Sequence, residues 1–223
     1  MKKLVFWLFA LVVVLLFVVI IKQNPNSVVG ATVNAMVPSG DGESQGYRLN
    51  FESDKQLMRK IVEEGKWNMK YDEFQDVTFV LKDHDIEENF VMMYVVSKST
   101  SDDRGVNDIR MVINYFGDDW IFWDKVTFLV DGKRFEFDYS MEETYRDAFG
   151  GDVSEYYDVL VNGEEDFLKE ISNCVSFKYR LSGKQWYERE LKKAEVDDLK
   201  EAVKLYELVT ANRFYIGTIN SSL

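Results

Sequence analysis

Hydrophobic and polar positions divide this chain into an apolar start, a polar linker and a long stretch of mixed short periods. The start is "LVFWLFALVVVLLFVVII", Leu4 to Ile21, which holds no charge and no amide side chain. As a helix it would span roughly 27 Å, close to the hydrocarbon thickness of a bilayer. A cleavable signal has a shorter apolar region, on the order of 7–15 residues, followed promptly by a small-x-small site. Here Lys22, Gln23, Asn24 and Pro25 close the run, and the small-x-small positions ending at Ala31 and Ala35 come well downstream. The pattern predicts an uncleaved signal anchor over residues 1–22, with late cleavage as the alternative.

Residues 23–46 are rich in Asn, Ser, Gly and Val and end in "PSGDGESQG". They read as a flexible stalk. Residues 47–223 then read as one domain. A helix is predicted from a capping box at Ser53 and Gln56, with Leu57, Met58, Ile61 and Val62 on one face and Gly65 as its stop. Runs of β-branched and aromatic residues predict strands at 77–82, 90–97 and 109–116.

The stretch "KVTFLVDGKRFEFDY", 125–139, predicts a hairpin about Asp131-Gly132. That turn pairs Val126 with Phe137, Phe128 with Phe135 and Val130 with Lys133, which leaves Thr127, Glu136, Leu129 and Arg134 on the wetter face. Ser140 and Glu143 form a second capping box, predicting a short helix whose apolar stripe is Met141, Tyr145, Ala148 and Phe149. Further elements are a strand at 154–161, an amphipathic helix at 164–172 and a helix at 195–210 burying Val196, Leu199, Val203, Tyr206 and Val209. A second hairpin is expected at 174–191 about Ser182-Gly183-Lys184, setting Tyr179 opposite Tyr187 and Lys178 opposite Glu188. A closing edge strand is expected at 213–219. Strands at hairpin spacing with three to four short helices imply an α+β fold, a mostly antiparallel sheet or sandwich, preceded by one transmembrane helix.

Charge narrows the setting. Removing Lys2, Lys3 and Lys22 from 27 basic residues leaves 24 against 39 acidic ones, a charge of −15 beyond the anchor. Such a domain is repelled by phosphate backbones, so nucleic acid is excluded as a partner. Lys2 and Lys3 before the span, against Lys22 alone just after it, orient the N-terminus inward by the positive-inside rule. The expected location is the inner or cytoplasmic membrane, single-pass, with the domain periplasmic or extracellular. The short basic start and lone anchor are in the style of bacterial or phage-encoded envelope proteins. Cys174 is the single cysteine, so no internal disulfide and no lipoprotein attachment site after the apolar run are available.

Candidate chemistry is sparse. His84, flanked by Asp83 and Asp85, offers a base or a metal ligand, but reads first as a loop histidine. Cys174 could act as a nucleophile with that histidine, yet it begins an apolar strand where buried cysteines are common. The paired carboxylates Glu87-Glu88, Asp102-Asp103, Asp118-Asp119, Glu142-Glu143, Glu164-Glu165 and Asp197-Asp198 are what a chain with 39 acids contains by chance. No catalytic residue, metal ligand or cofactor is assigned. Two aromatic segments stand out: "GDDWIFWDK" (117–125) and "GKQWYERE" (183–190). Trp120, Phe122, Trp123, Trp186 and Tyr187 are the candidate partner-binding residues. If 118–124 is a strand, Trp120 and Phe122 share one face and Ile121 and Trp123 the other. Trp120→Ala is then expected to destabilise the domain and Trp123→Ala to leave it unchanged. The leading reading is a membrane-tethered, non-enzymatic binding module whose partners are the bilayer, through residues 4–21, and an envelope protein or, second, a polysaccharide. The alternative is an anchored hydrolase with a carboxylate site.

Overall fold

In the computed structural model the described residues are 41–101, 104–139 and 144–219, with side chains from residue 51 onward, Phe149 excepted. The apolar run at 4–21 and the first part of the stalk lie outside them. Among the described residues no helix is long and apolar enough to cross a membrane.

Helix α1 (Asp41–Glu64) precedes four strands in meander order: β1 (Asn68–Asp72), β2 (Val77–Leu81), β3 (Phe90–Ser99) and β4 (Gly105–Gly117). Then come β5 (Lys125–Val130), β6 (Lys133–Asp138), β7 (Tyr145–Phe149), β8 (Asp152–Leu160) and α2 (Glu165–Asn173). β9 (Phe177–Ser182), β10 (Trp186–Glu190) and α3 (Lys193–Ala211) complete the main elements, and a single 3-10 turn follows at Ile216–Thr218. The fold is α+β, with three α-helices among the described residues and antiparallel pairing between all neighbouring strands. One sheet has the order β1-β2-β3-β4-β8-β7, the other β10-β9-β5-β6.

Side-chain alternation sorts the large sheet into two faces. Val80, Val91, Met93, Val95, Ile109, Met111 and Ile113 point into the main core. They meet Met58 and Val62 of α1, the wide apolar stripe of α3, and Val126, Phe128, Phe177, Tyr179 and Leu181 from the inner face of the small sheet. Phe167 of α2 stacks on Phe128 at 5.1 Å and lies 5.2 Å from Phe137, closing the small sheet against the helix. The opposite face of the large sheet carries a second cluster: Val77, Phe90, Tyr94, Val96 and Val112. Beside it the Asp158 carboxylate accepts from the Tyr94 hydroxyl (2.7 Å) and Arg110 Nε (2.9 Å). Burial pushes Asp158 above the usual carboxylate range, against the pull of Arg110 and Tyr94.

Local rules hold where the signal is local. The hairpin β5–β6 has the expected register, Val126 opposite Phe137 and Phe128 opposite Phe135. Asp131 (φ +48) and Gly132 (φ +84) take the two positive φ values that such a turn requires. Asp131 also reaches out of its turn. Its carboxylate accepts the N–H groups of Val175 (3.0 Å) and Ser176 (2.7 Å), which hold it below its ordinary pKa and tie the hairpin to the start of β9. Gly65 ends α1 as expected, with its N–H bonded to the Ile61 carbonyl at 3.0 Å.

Four expectations are corrected. Tyr145–Phe149 is the edge strand β7, paired with β8, and not a helix; the proposed cap at Ser140–Glu143 lies outside the described residues. β8 needs a partner on its free edge, and Tyr145 packs against Tyr156 across that pair at 5.3 Å. Helix α1 passes through Ser53 and Gln56 without a break, so their spacing marks mid-helix positions and not a start. Residues 213–219 form no strand: Phe214 makes one isolated bridge to Arg104, and Ile216 is buried in a 3-10 turn. In the second hairpin the loop has three residues, but they are Gly183, Lys184 and Gln185. Ser182 therefore pairs Trp186 and Tyr179 pairs Arg189. The shift preserves which side chains share a face, so Tyr179 and Tyr187 still meet diagonally at 6.1 Å.

Candidate functional site

The segment 118–124 joins the two sheets. It leaves β4 of the large sheet and enters β5 of the small one without strand pairing of its own. What holds it is a buried acid. Glu155 of β8 points to the main core side and is 0% exposed. Its Oε1 accepts the N–H groups of Ile121 (2.6 Å) and Phe122 (2.8 Å), and its Oε2 accepts from Arg146 Nε at 3.1 Å. Sequence reading passed over this residue. The available signal is its place in "DVSEYYDVL", where alternation puts Glu155 on the same face as Val153 and Tyr157. An acid on a core-facing strand position must be satisfied, and here it is satisfied by backbone.

The pinned segment keeps the expected alternation, but the face that meets the core is that of Ile121 and Trp123. Ile121 and Trp123 both turn inward, and Trp123 is 0% exposed, edge-on to Tyr139 (5.9 Å) and Tyr157 (6.2 Å). This corrects the expectation that Trp123 is a surface anchor. Phe122 between them takes φ +51, a conformation rare for a bulky side chain, and its ring is half-buried. Trp120, also half-buried, lies 5.7 Å from that ring.

The β9–β10 turn packs directly on this segment. Lys184 donates its N–H to the Ile121 carbonyl at 2.8 Å, and Gln185 Nε2 donates to Asp119 Oδ2 at 2.9 Å. A Cβ on Gly183 would collide with the Phe122 carbonyl, so the approach requires glycine there. Tyr115 extends the junction, with its hydroxyl on the Asp119 carbonyl (3.2 Å) and its ring 5.3 Å from Tyr187. Two aromatic segments distant in sequence thus form one surface. Trp120, Phe122 and Trp186 of the candidate set lie at it, Tyr187 turns inward onto Tyr115 and Tyr179, which corrects its reading as a surface residue, and Trp123 lies beneath.

Cations frame the aromatics. The Lys184 ammonium stands 4.2 Å from the Phe122 ring centroid, and the Arg146 guanidinium 5.4 Å from the same ring. Trp186 is 67% exposed, with the Arg180 guanidinium 5.6 Å from its ring. Arg180, Ser182, Gly183, Lys184, Gln185 and Trp186 line an open hollow of ≈ 400 Å³. No family model, curated protein or solved structure matches the chain.

The other candidates are placed apart. His84 stacks on Phe90 at 4.7 Å, on the outer cluster of the large sheet, where burial lowers its pKa. Cys174 caps α2 and belongs to the main core, with its thiol pKa raised by burial. His84 thus lies at the sheet edge near the start of α3, and Cys174 lies in the main core at the end of α2. The buried carboxylates Glu155 and Asp158, three residues apart on β8, point to opposite faces. Among the described residues no three His, Cys, Asp or Glu side chains group as metal ligands, and Asp102-Asp103 and Glu142-Glu143 lie outside them. Cys174→Ala is expected to cost about 1–2 kcal/mol as a small packing loss. Denaturant titration checks it; a loss well above that range would mean the thiol does more than fill space.

Proposed function

We propose that this chain is a membrane-tethered, non-enzymatic binding module. In this reading residues 1–22 are the anchor, 23–40 the stalk, its expected end at 46 being shortened because α1 starts at Asp41, and the α+β domain presents its binding surface outside the cytoplasm. One observation carries it: the two aromatic segments converge, so that the turn bearing the exposed Trp186 packs on the segment bearing Trp120 and Phe122, with an open hollow at the junction. A pinned segment with a bulky residue at positive φ supports the same reading, because such strain is retained where surrounding structure over-determines it, and it clusters at ligand-binding places. The partner is an envelope protein or a polysaccharide.

Site-directed photo-crosslinking in cells tests this. With a photoreactive benzoylphenylalanine in place of Trp186, the chain is expected in the membrane fraction and a discrete adduct is expected on irradiation. The same group in place of Lys204, an exposed position on α3, is expected to give none. Recovery of the chain in the soluble fraction refutes the tether. Equal adducts from both positions refute the surface.

A further inference from the structure

Resting on that reading, we infer that the outer face of the small sheet beside Trp186 takes an uncharged polysaccharide. The strand register lays this face out as a lane. Trp186 pairs with Ser182 at its head, Glu188 with Arg180 in the middle and Glu190 with Lys178 at its foot. Alternate positions of a strand share a face, and the intervening Tyr179 and Leu181 turn into the core. From residue 186 to residue 190 the lane runs roughly 13 Å at the rise of a β-strand. An indole 67% exposed stands at its head, and two exposed cross-strand ion pairs follow, Arg180–Glu188 and Lys178–Glu190 (3.0 Å).

Charge balance decides against an ionic ligand. Arg180 and Lys178 already face glutamates, and Asp118, Asp119 and Asp124 stand exposed on the adjoining segment. Against these, Lys184 is the other cation lining the hollow. An anionic chain would have to draw Arg180 away from Glu188. A neutral sugar needs no such exchange. A hydroxyl both donates and accepts, so two neighbouring hydroxyls can donate to the carboxylate and accept from the cation beside it while the ion pair stays in place. Hydrogen bonds to ionised groups are the stronger kind. The apolar C–H face of the same ring covers the indole, which the Arg180 guanidinium flanks at 5.6 Å from its centroid. Gln185, held through its Nε2 on Asp119, keeps an amide oxygen for a further hydroxyl. A protein partner is the poorer fit, because protein interfaces gather several aromatic and apolar anchors at a centre depleted of charge. Here a single indole heads a row of ions. The hollow is open on the outside, as a polymer that runs past it requires, and its volume of ≈ 400 Å³ is that of a small-ligand cleft.

The test uses the full chain in a polyoxyethylene detergent, which carries no sugar, in biolayer interferometry. Immobilised laminarin, hydroxyethylcellulose, dextran and glycol chitin are the uncharged probes, and polygalacturonate is the charged one. At least one uncharged polymer is expected to bind, and polygalacturonate is not. Trp186→Ala is expected to weaken that binding by about tenfold or more. Glu188→Ala, which removes half of the central ion pair, is expected to weaken it severalfold. Val175→Ala, which truncates an exposed apolar side chain elsewhere, is expected to leave it intact. Failure of every uncharged polymer to bind overturns the inference. So does binding that survives Trp186→Ala or Glu188→Ala. Polygalacturonate bound as well as the uncharged polymers overturns it in favour of an acidic ligand. If all the polymers fail while the Trp186 crosslink gives a protein adduct, the surface stands and only its ligand class falls.

Discussion

Glu155→Ala is expected to cost about 3–5 kcal/mol of folding stability, the scale of a broken buried charge pair. The carboxylate is 0% exposed and does three jobs at once: it accepts the N–H groups of Ile121 and Phe122 and faces Arg146. Its removal leaves two amides and a guanidinium group without that acceptor. It also frees the connecting segment to abandon the positive φ at Phe122. Glu155→Gln keeps a carbonyl oxygen for the amides but turns an NH2 instead of an acceptor toward Arg146, so it should cost something, yet less than the alanine variant. Urea titrations of the three proteins decide the ranking. A loss under about 1 kcal/mol for Glu155→Ala, the range of one ordinary hydrogen bond, would mean the segment is held by something else.

Trp123→Ala is expected to cost a similar amount, about 3–5 kcal/mol, because a fully buried indole is replaced by a cavity. Trp186→Ala should stay within about 0.5 kcal/mol, as surface substitutions do. Trp123→Phe is the informative intermediate. The indole N–H of Trp123 makes no hydrogen bond, so a benzyl group forfeits volume and edge contacts to Tyr139 and Tyr157 but no polar partner. It should recover most of the loss. Thermal melts of the three variants suffice; a Trp123→Ala melt matching Trp186→Ala would place residue 123 outside the core.

These two residues also mark where the sequence was legible and where it was not. Asp131-Gly132 specifies its turn through two adjacent backbone conformations, and six paired positions follow from it. Nothing outside the hairpin was needed. The β9–β10 register needed more. Ser182 must pair both Lys125 on one side and Trp186 on the other, and the turn must seat Gly183 on the Phe122 carbonyl. Those demands come from other elements, so turn chemistry alone placed the loop one residue early. Tyr145 and Ala148 read equally well as a helical stripe until β8 is known to lack a neighbour. At the site, the two aromatic segments were visible as composition. Their meeting was not, because it depends on Glu155, a residue whose meaning appears only with β8 in place. Alternation rightly paired Ile121 with Trp123 and Trp120 with Phe122, but without that anchor it could not tell which pair faced the core. The half-burial of Trp120 and the full burial of Trp123 follow once two consecutive amides are fixed on one carboxylate.

The order in which the chain visits its two sheets has a consequence for how the domain comes apart. The chain builds four strands of the large sheet, two of the small one, returns for β7 and β8, then finishes with β9 and β10. Each sheet is therefore sewn through the other's connection. Any single cut between β1 and β10 leaves at least one sheet divided between two pieces, and cuts between β5 and β8 divide both. Neither half of such a molecule inherits a whole sheet to fold around, so the domain has no natural point of severance and must be gained or lost as one.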